Sequence, residues 1–254
     1  HLLGLGSMPE RVELSFDVLL HAATLIAIIA AFWREILAVA DLRSRRWLWI
    51  AIAVVPAGVA GLLGGDLVDA AGESWGLMAG CYVYTALLLV VSEQLSLRRQ
   101  ARMAAVAEEQ QETHGQGVER GALGFWPAVV VGVLQVPALL PGVSRSGSTV
   151  AAGLLAGLPP ALAVSFSFLV GLPLIAGATA KKALDGGFGE LVDLVGWPVL
   201  SAAFLASLVS GFVAIILLKL VARAGKLRWF AAYCLVVAAV CLWQAFGAGP
   251  AVGG

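Results

Sequence analysis

The chain has 254 residues, of which 60% are hydrophobic and only 13% are charged, and its mean hydropathy is +0.93. A soluble domain is typically about 45–50% apolar and about 25% charged, so this composition excludes an ordinary soluble protein and indicates a membrane protein. The 16 basic and 16 acidic residues balance, so no excess of positive charge points to a nucleic-acid partner.

Six apolar runs are long enough to cross a bilayer, which takes about 20 residues. They are predicted near Ser15–Trp33, Trp47–Gly64, Trp75–Val91, Pro160–Ala180, Trp197–Leu220 and Leu227–Phe246. Two further apolar pieces, Ala122–Leu140 and Val150–Leu158, flank a Pro-Gly break, and the second is too short to span. Because a short helix after such a break suits a hairpin that enters and leaves on one side, we predict a re-entrant segment there.

Charged loops orient the predicted spans. Three loops are basic, namely those between spans one and two, after span three, and between spans five and six, so the positive-inside rule places them in the cytoplasm. Their basic residues are Arg34, Arg43, Arg45, Arg46, Arg98, Arg99, Arg102, Arg120, Lys219, Arg223, Lys226 and Arg228. The loop between spans two and three carries Asp66, Asp69 and Glu73 without Lys or Arg and is predicted outside. The predicted sides of all these loops are mutually consistent only if Ala122–Leu158 enters and leaves the membrane on the cytoplasmic side.

We therefore expect an all-α, polytopic membrane protein with about six transmembrane helices, a re-entrant helical hairpin and opposed internal repeats. The whole of residues 1–254 forms one integral membrane domain in this interpretation, with repeat one at 1–95, a cytoplasmic loop at 96–121 and repeat two at 122–254. The repeat rests on Ser15-Phe16 and Leu19, which recur as Ser165-Phe166 and Leu169 in a span of opposite direction. Opposed repeats around a midplane site recur in membrane proteins.

The stretch from Leu139 to Thr149 is the most informative part of the chain, because it combines one arginine, four hydroxyls and two glycines between apolar segments. A permanent charge at membrane depth costs at least about 2.5–3.5 kcal/mol, so Arg145 needs a partner or a task. Its guanidinium matches phosphate oxygens, and glycine lets a backbone approach a ligand closely. We also expect Thr149 to cap a helix over Val150–Leu158, whose first amides would face the same anion.

These features predict a phosphate pocket inside a membrane protein. Arg145 would clamp the phosphate, with backbone amides near Gly147 assisting. The hydroxyls expected to donate hydrogen bonds are those of Ser144, Ser146, Ser148 and Thr149. The alternative is an ordinary polar loop at a helix break, in which Arg145 snorkels to the interface.

Two other polar positions lie in apolar runs. Asp17 and His21 are four residues apart in span one and share a helix face, which an interhelical hydrogen bond explains as well as a functional site does. Glu93 lies near a membrane boundary, and we assign it no special role.

The arginine motif also carries a family resemblance. Pro141-Gly142-Val143-Ser144-Arg145-Ser146-Gly147-Ser148-Thr149, followed by Ala152-Gly153-Leu154-Leu155-Ala156-Gly157-Leu158, resembles the second signature of the bacterial undecaprenyl-diphosphate phosphatase family of the bacitracin-resistance type. Gln135 stands where that family carries a glutamine. Ser165 to Leu169, Phe16-Asp17-Val18 and Phe230 to Tyr233 also resemble it, so the resemblance covers nearly the whole chain. Cys234 departs from it, because arginine is common there.

The resemblance implies hydrolysis of undecaprenyl diphosphate to undecaprenyl phosphate and phosphate, which recycles the lipid carrier for cell-wall synthesis in the bacterial inner membrane. It assigns catalysis to Arg145, Ser144 and His1, with His1 as candidate acid, base or nucleophile. The alternative for His1 is a disordered terminal residue without a role. It assigns substrate binding to Gln135, Gly142, Ser146, Gly147, Ser148 and Thr149. The implied partners are the polyprenyl diphosphate substrate and membrane lipid, with no nucleic acid, and a homodimer is left open.

The family's first signature, which has paired carboxylates, is reduced here to its final histidine, His1. We therefore interpret the chain as an N-terminally truncated member. A divalent cation, Mg²⁺ or Ca²⁺, is expected as cofactor, with its ligands upstream of residue 1. Such a chain should bind phosphate weakly and turn over slowly or not at all. The alternative function is a lipid-phosphate transporter or flippase, which would move an intact lipid without releasing phosphate.

Overall fold

The computed structural model describes residues 10–40, 45–64, 72, 74–111, 123–185 and 187–247. Within these ranges the chain is helical, and none of them forms a strand. The helices in chain order are α1 (Glu10–Ala40), α2 (Arg46–Leu63), α3 (Trp75–Gln111), α4 (Phe125–Leu134), a 3₁₀ turn (Val136–Leu139), α5 (Arg145–Leu155), α6 (Pro160–Asp185), α7 (Phe188–Val195), α8 (Trp197–Arg223) and α9 (Arg228–Gly247).

Six of these helices are long and apolar enough to cross a membrane, which confirms the six predicted spans. The candidate spans are Val12–Val39, Arg46–Leu63, Trp75–Ala105, Pro160–Leu184, Trp197–Arg223 and Arg228–Phe246. The prediction was too short for span three, because α3 continues to Gln111. The segment predicted as a loop over 96–121 is therefore helical as far as Gln111. Its Arg, Ala, Glu and Gln residues favour helix, and they permit one to continue beyond the apolar stretch.

The chain divides into two compact units that interleave in sequence, residues 1–40 with 171–218 and residues 41–170 with 219–254. These units do not follow the predicted repeat halves, and the repeat stays a prediction. In the first unit, Val12, Leu191 and Leu200 form a buried cluster. The Asp17 carboxylate accepts a hydrogen bond from Lys182 Nζ at 2.7 Å, which confirms the interhelical interpretation of Asp17. His21 bonds within its own helix, through Nδ1 and the Asp17 carbonyl oxygen at 2.7 Å.

The second unit contains the arginine motif. Here α3 packs against α5 and α9, and α2 packs against α4. Gly132 lies so close to α2 that a Cβ there would be 3.0 Å from the Ala53 carbonyl oxygen. Glu93, to which we assigned no role, is buried and its carboxylate accepts a hydrogen bond from the Arg228 backbone N–H at 2.6 Å. That assignment was therefore wrong, because Glu93 satisfies an otherwise unpaired amide where α9 begins.

The segment from α4 to α5 has the geometry of a hairpin within this unit. Along the outward arm, Gln135 bonds to Ala53 in the middle of α2, and Leu139 then lies beside Gly61 near the C-terminal end of that helix. At the turn, Gly142 lies against Met78 near the beginning of α3. The hairpin therefore turns close to the ends of α2 and α3 that the short acidic loop joins in sequence.

The returning arm is α5, which runs in the same direction as α3. Ser144, just before α5, bonds to Thr85, whereas Leu154 and Leu155 at its other end bond to Arg99. The hairpin thus returns toward the basic end of α3. This geometry supports the predicted hairpin, and its insertion into the membrane from the cytoplasmic side stays a prediction.

Candidate phosphate-binding site

Helix α5 begins inside the arginine motif. Ser144 is its N-cap, with an extended backbone and a side-chain oxygen that accepts a hydrogen bond from the Gly147 N–H at 3.1 Å. The prediction that Thr149 caps a helix over Val150–Leu158 is therefore wrong. Serine is a better cap than threonine by residue type, and the chain uses Ser144, the first hydroxyl after its turn. The polar residues that begin at Arg145 therefore form the first turn of α5, not a loop.

A tight turn at Pro141-Gly142 precedes this cap. The Val143 N–H donates to the Leu140 carbonyl oxygen at 3.1 Å. Gly142 has a φ of +92°, and a Cβ there would lie 3.0 Å from the Met78 carbonyl oxygen. Glycine is required for both reasons, because the conformation is strained for other residues and α3 leaves no room. The predicted close approach at Gly142 is thus an approach to another helix.

Arg145 is the first residue of α5 and is partly buried. An arginine remains protonated in a protein because its ordinary pKa is far above neutrality. The first amides of a helix lack intrahelical acceptors and carry the positive end of the helix dipole. The Gly147 and Ser148 N–H groups already donate to Ser144, so the guanidinium and the remaining amides of the turn are the groups that favour an anion.

The other predicted residues divide into two groups. Ser144, Ser146 and Gly147 share the first turn with Arg145 and are partly buried. Thr149 instead donates to the Arg145 carbonyl oxygen at 2.9 Å and shares a short hydrogen bond with Ser167 of α6. Its hydroxyl is thus already committed within the protein.

Ser148 and Gln135 are fully buried. The Ser148 hydroxyl has no hydrogen-bond partner among the residues that the structure describes. Gln135 donates through Nε2 to the Ala53 carbonyl oxygen, while its Oε1 is likewise unpaired in that part of the chain. These atoms retain hydrogen-bonding capacity that a ligand or water would satisfy. His1 lies outside the described residues.

Two residues that we did not single out from the sequence contact α5. Thr85 is fully buried, and its hydroxyl oxygen accepts a hydrogen bond from the Ser144 N–H at 3.2 Å. Arg99, counted only as a topology arginine, donates through Nη1 to the carbonyl oxygens of Leu154 and Leu155. The sequence around Thr85 or Arg99 does not indicate these contacts, because each partner lies more than fifty residues away in sequence.

The fold and this site define a polytopic membrane protein with a candidate phosphate pocket at a helix N-terminus. Residues 1–240 match the family described as bacitracin resistance protein BacA. The chain is 35% identical to a protein named undecaprenyl-diphosphatase from Rubrobacter xylanophilus, with 93% of this chain and 85% of the relative covered. It is 32% identical to the protein of that name from Halothermothrix orenii, with 89% and 81% covered. The chain belongs to the BacA family.

Proposed function

We infer that the protein is an undecaprenyl-diphosphate phosphatase, a hydrolase of the bacterial inner membrane that regenerates the lipid monophosphate carrier. The observation that carries this function is the placement of Arg145 on the first turn of α5 beneath the Ser144 cap, in a chain that belongs to the BacA family. Phosphoryl transfer depends mainly on positioning and charge neutralisation, which a guanidinium and helix amides supply. The transporter alternative is not favoured, because the related proteins carry the name of a diphosphatase.

In the proposed reaction the terminal phosphate of the substrate lies at the N-terminus of α5. The Arg145 guanidinium and free amides of the first turn bind its oxygens. Because the Ser144 oxygen already accepts a bond from Gly147, its hydroxyl proton is available to donate to the phosphate. A water oxygen forms a bond to the terminal phosphorus and the bridging P–O bond breaks, which leaves the lipid monophosphate and inorganic phosphate.

A divalent cation, Mg²⁺ or Ca²⁺, remains part of the proposal. No three His, Cys, Asp or Glu side chains come together within the described part of the chain. The motif turn itself offers neutral hydroxyls and a guanidinium that repels a cation, and its sequence from Pro141 to Thr149 contains no carboxylate, the ligand that Mg²⁺ and Ca²⁺ favour. These residues therefore do not form a site for the ion, and no step above is routed through it. The roles of His1 and of a homodimer likewise stay predictions.

The geometry of the hairpin supports a proposal for the side of the membrane on which the site opens. Arg46 begins α2, and Arg98, Arg99 and Arg102 lie toward the C-terminal end of α3, so positive-inside orientation places these ends in the cytoplasm. The Pro141-Gly142 turn lies near the opposite ends of both helices. We therefore propose that the site binds the diphosphate headgroup from the outer leaflet.

The function can be tested with the purified protein in vesicles that contain undecaprenyl diphosphate labelled in its terminal phosphate. The expected products are labelled inorganic phosphate and undecaprenyl monophosphate in equal amounts. Movement of intact diphosphate lipid between leaflets without phosphate release would instead establish the transporter.

A further inference from the structure

Helix α3 holds the arginine-motif helix at both of its ends. Near one end of α5, the Ser144 N–H donates to Thr85 Oγ1 at 3.2 Å. At the other, Arg99 Nη1 donates to the carbonyl oxygens of Leu154 at 3.1 Å and Leu155 at 2.8 Å. We propose that Thr85 and Arg99 are positioning residues that fix α5, and with it Arg145, in the geometry needed for phosphoryl transfer. The proposal rests on the phosphatase function given above.

The Thr85 end fixes the cap. Thr85 is fully buried, and its hydroxyl donates to the Cys81 carbonyl oxygen at 3.0 Å while its oxygen accepts from Ser144. The hydroxyl proton is therefore committed to α3, and the lone pair is directed at the Ser144 amide. Since Arg145 follows Ser144 directly, this bond fixes the position of the backbone from which the Arg145 side chain extends. Valine at position 85 would keep the shape and remove the acceptor.

Arg99 donates hydrogen bonds to backbone carbonyls at the C-terminal end of α5. The last carbonyls of a helix have no intrahelical donors and carry its negative pole. One guanidinium nitrogen donates to the carbonyl oxygens of Leu154 and Leu155 and places a positive charge there. The Leu154 carbonyl oxygen also accepts from the Gly157 N–H at 3.0 Å, so Arg99 is a second donor to that oxygen. Gly157, just beyond α5, has a φ of +91°, and a Cβ there would lie 3.5 Å from Arg99 Nη1. Arg99 is thus in close contact with the chain where it leaves the helix.

The two contacts act together because α5 is short and rigid. Its 11 residues span about 16 Å, so a displacement at Leu155 tilts the helix and moves its first turn. A misplacement of about 1 Å far from the reacting atoms can cost about 100-fold in rate. The competing explanation is that Arg99 only sets topology by its charge. Arg98 provides the control, because it is adjacent on the same helix and both arginines are exposed, so the comparison isolates the contacts of Arg99 with Leu154 and Leu155.

The first experiment compares three variants in the phosphate-release assay. Arg99→Met removes both hydrogen bonds and should lower kcat at least about 10-fold while KM changes less than about 3-fold. Arg99→Lys should recover part of kcat, because an ammonium still donates to helix-end carbonyls. Arg98→Met, which removes the same charge, should retain wild-type kcat. Equal effects of Arg99→Met and Arg98→Met would overturn the positioning role of Arg99.

A second pair of variants tests the other end without removing charge. Thr85→Val should lower kcat by a similar factor, whereas Thr85→Ser keeps the hydroxyl and should recover most of it. A role in packing alone predicts the reverse order, because valine fills the space of threonine better than serine does. That reverse order would overturn the proposal for Thr85.

A readout independent of turnover separates this proposal from the function on which it rests. Hydrogen exchange of the α5 amides should be faster in Arg99→Met and Thr85→Val than in wild type or Arg98→Met. If wild type released no phosphate, the phosphatase function would fail while the exchange data still decided the double attachment of α5. If wild type were active and exchange in α5 were unchanged in both variants, the attachment would be refuted and the function retained.

Discussion

Replacing Gly142 by alanine should damage the phosphate site through its backbone. The residue has a φ of +92°, where a side chain costs about 1–3 kcal/mol. The new Cβ would also lie 3.0 Å from the Met78 carbonyl oxygen and 3.2 Å from the Cys81 Cβ. Overpacking of this kind costs typically about 1–3 kcal/mol. The two terms sum to at least about 2 kcal/mol, which corresponds to about 30-fold in an equilibrium or a rate.

The strain can be relieved in two ways, and each has a measurable result. If the turn keeps its place, the protein loses stability and its Tm falls. If the turn moves away from α3, Ser144 and Arg145 move with it and kcat/KM falls about 30-fold. Phosphate release and thermal unfolding of the same preparation measure both quantities.

Gly80→Ala is the matched control for this substitution. Gly80 lies on α3 near the same turn, and a Cβ there meets nothing within 4 Å. We expect that variant to match or slightly exceed wild type in stability, because alanine favours helix over glycine. The reasoning about Gly142 would be refuted if Gly142→Ala kept both the Tm and the kcat/KM of Gly80→Ala.

Three further results are expected. Arg145→Lys should lose most phosphate release while the protein remains folded in the membrane, because an ammonium cannot reproduce the paired donors of a guanidinium; near-normal turnover would contradict the phosphate role. Cysteines introduced by Gly124→Cys and Ala161→Cys should both react with a reagent applied from the cytoplasmic side, and labelling from opposite sides would refute the hairpin. Glu93→Leu should lower the free energy of unfolding by about 1–3 kcal/mol, because it leaves the Arg228 amide unpaired. The control is Arg228→Met, which keeps that amide bond and should lower the free energy of unfolding by less than about 1 kcal/mol. Equal decreases in the two variants would show that the amide bond is unimportant.

Much of the fold could be predicted because its signals are local. Six apolar runs gave six candidate spans, and the Pro-Gly break with a short apolar helix predicted the hairpin geometry. The start of α5 was misplaced because Ser144, Ser146, Ser148 and Thr149 are all capable caps. The choice among them depends on where the Pro141-Gly142 turn ends, and a threonine followed by an apolar run looked like the boundary. The available signal was that Ser144, a favoured cap residue, is the first hydroxyl after the Pro141-Gly142 turn.

The contacts that attach α5 to α3 could not be predicted in this way. Arg99 belongs to a run of basic residues whose ordinary explanation is membrane orientation, and nothing nearby indicates that it reaches Leu155. Glu93 looked like a boundary residue for the same reason, since its close partner is the backbone amide of Arg228 at 2.6 Å, while the Arg228 side chain lies 3.9 Å from its other oxygen. A hydrogen bond to a backbone amide cannot be recognised from the sequence, because nearly every residue type has that amide.

The position of the hairpin turn has a pharmacological consequence. In the proposed orientation, in which the site binds the headgroup from the outer leaflet, a compound would reach Arg145 without crossing the bilayer. We expect a diphosphate mimic too polar to enter cells to block carrier recycling when added to the medium. Resistance to such a compound should then arise at the turn or in the lipid itself, and loss of uptake should give no protection.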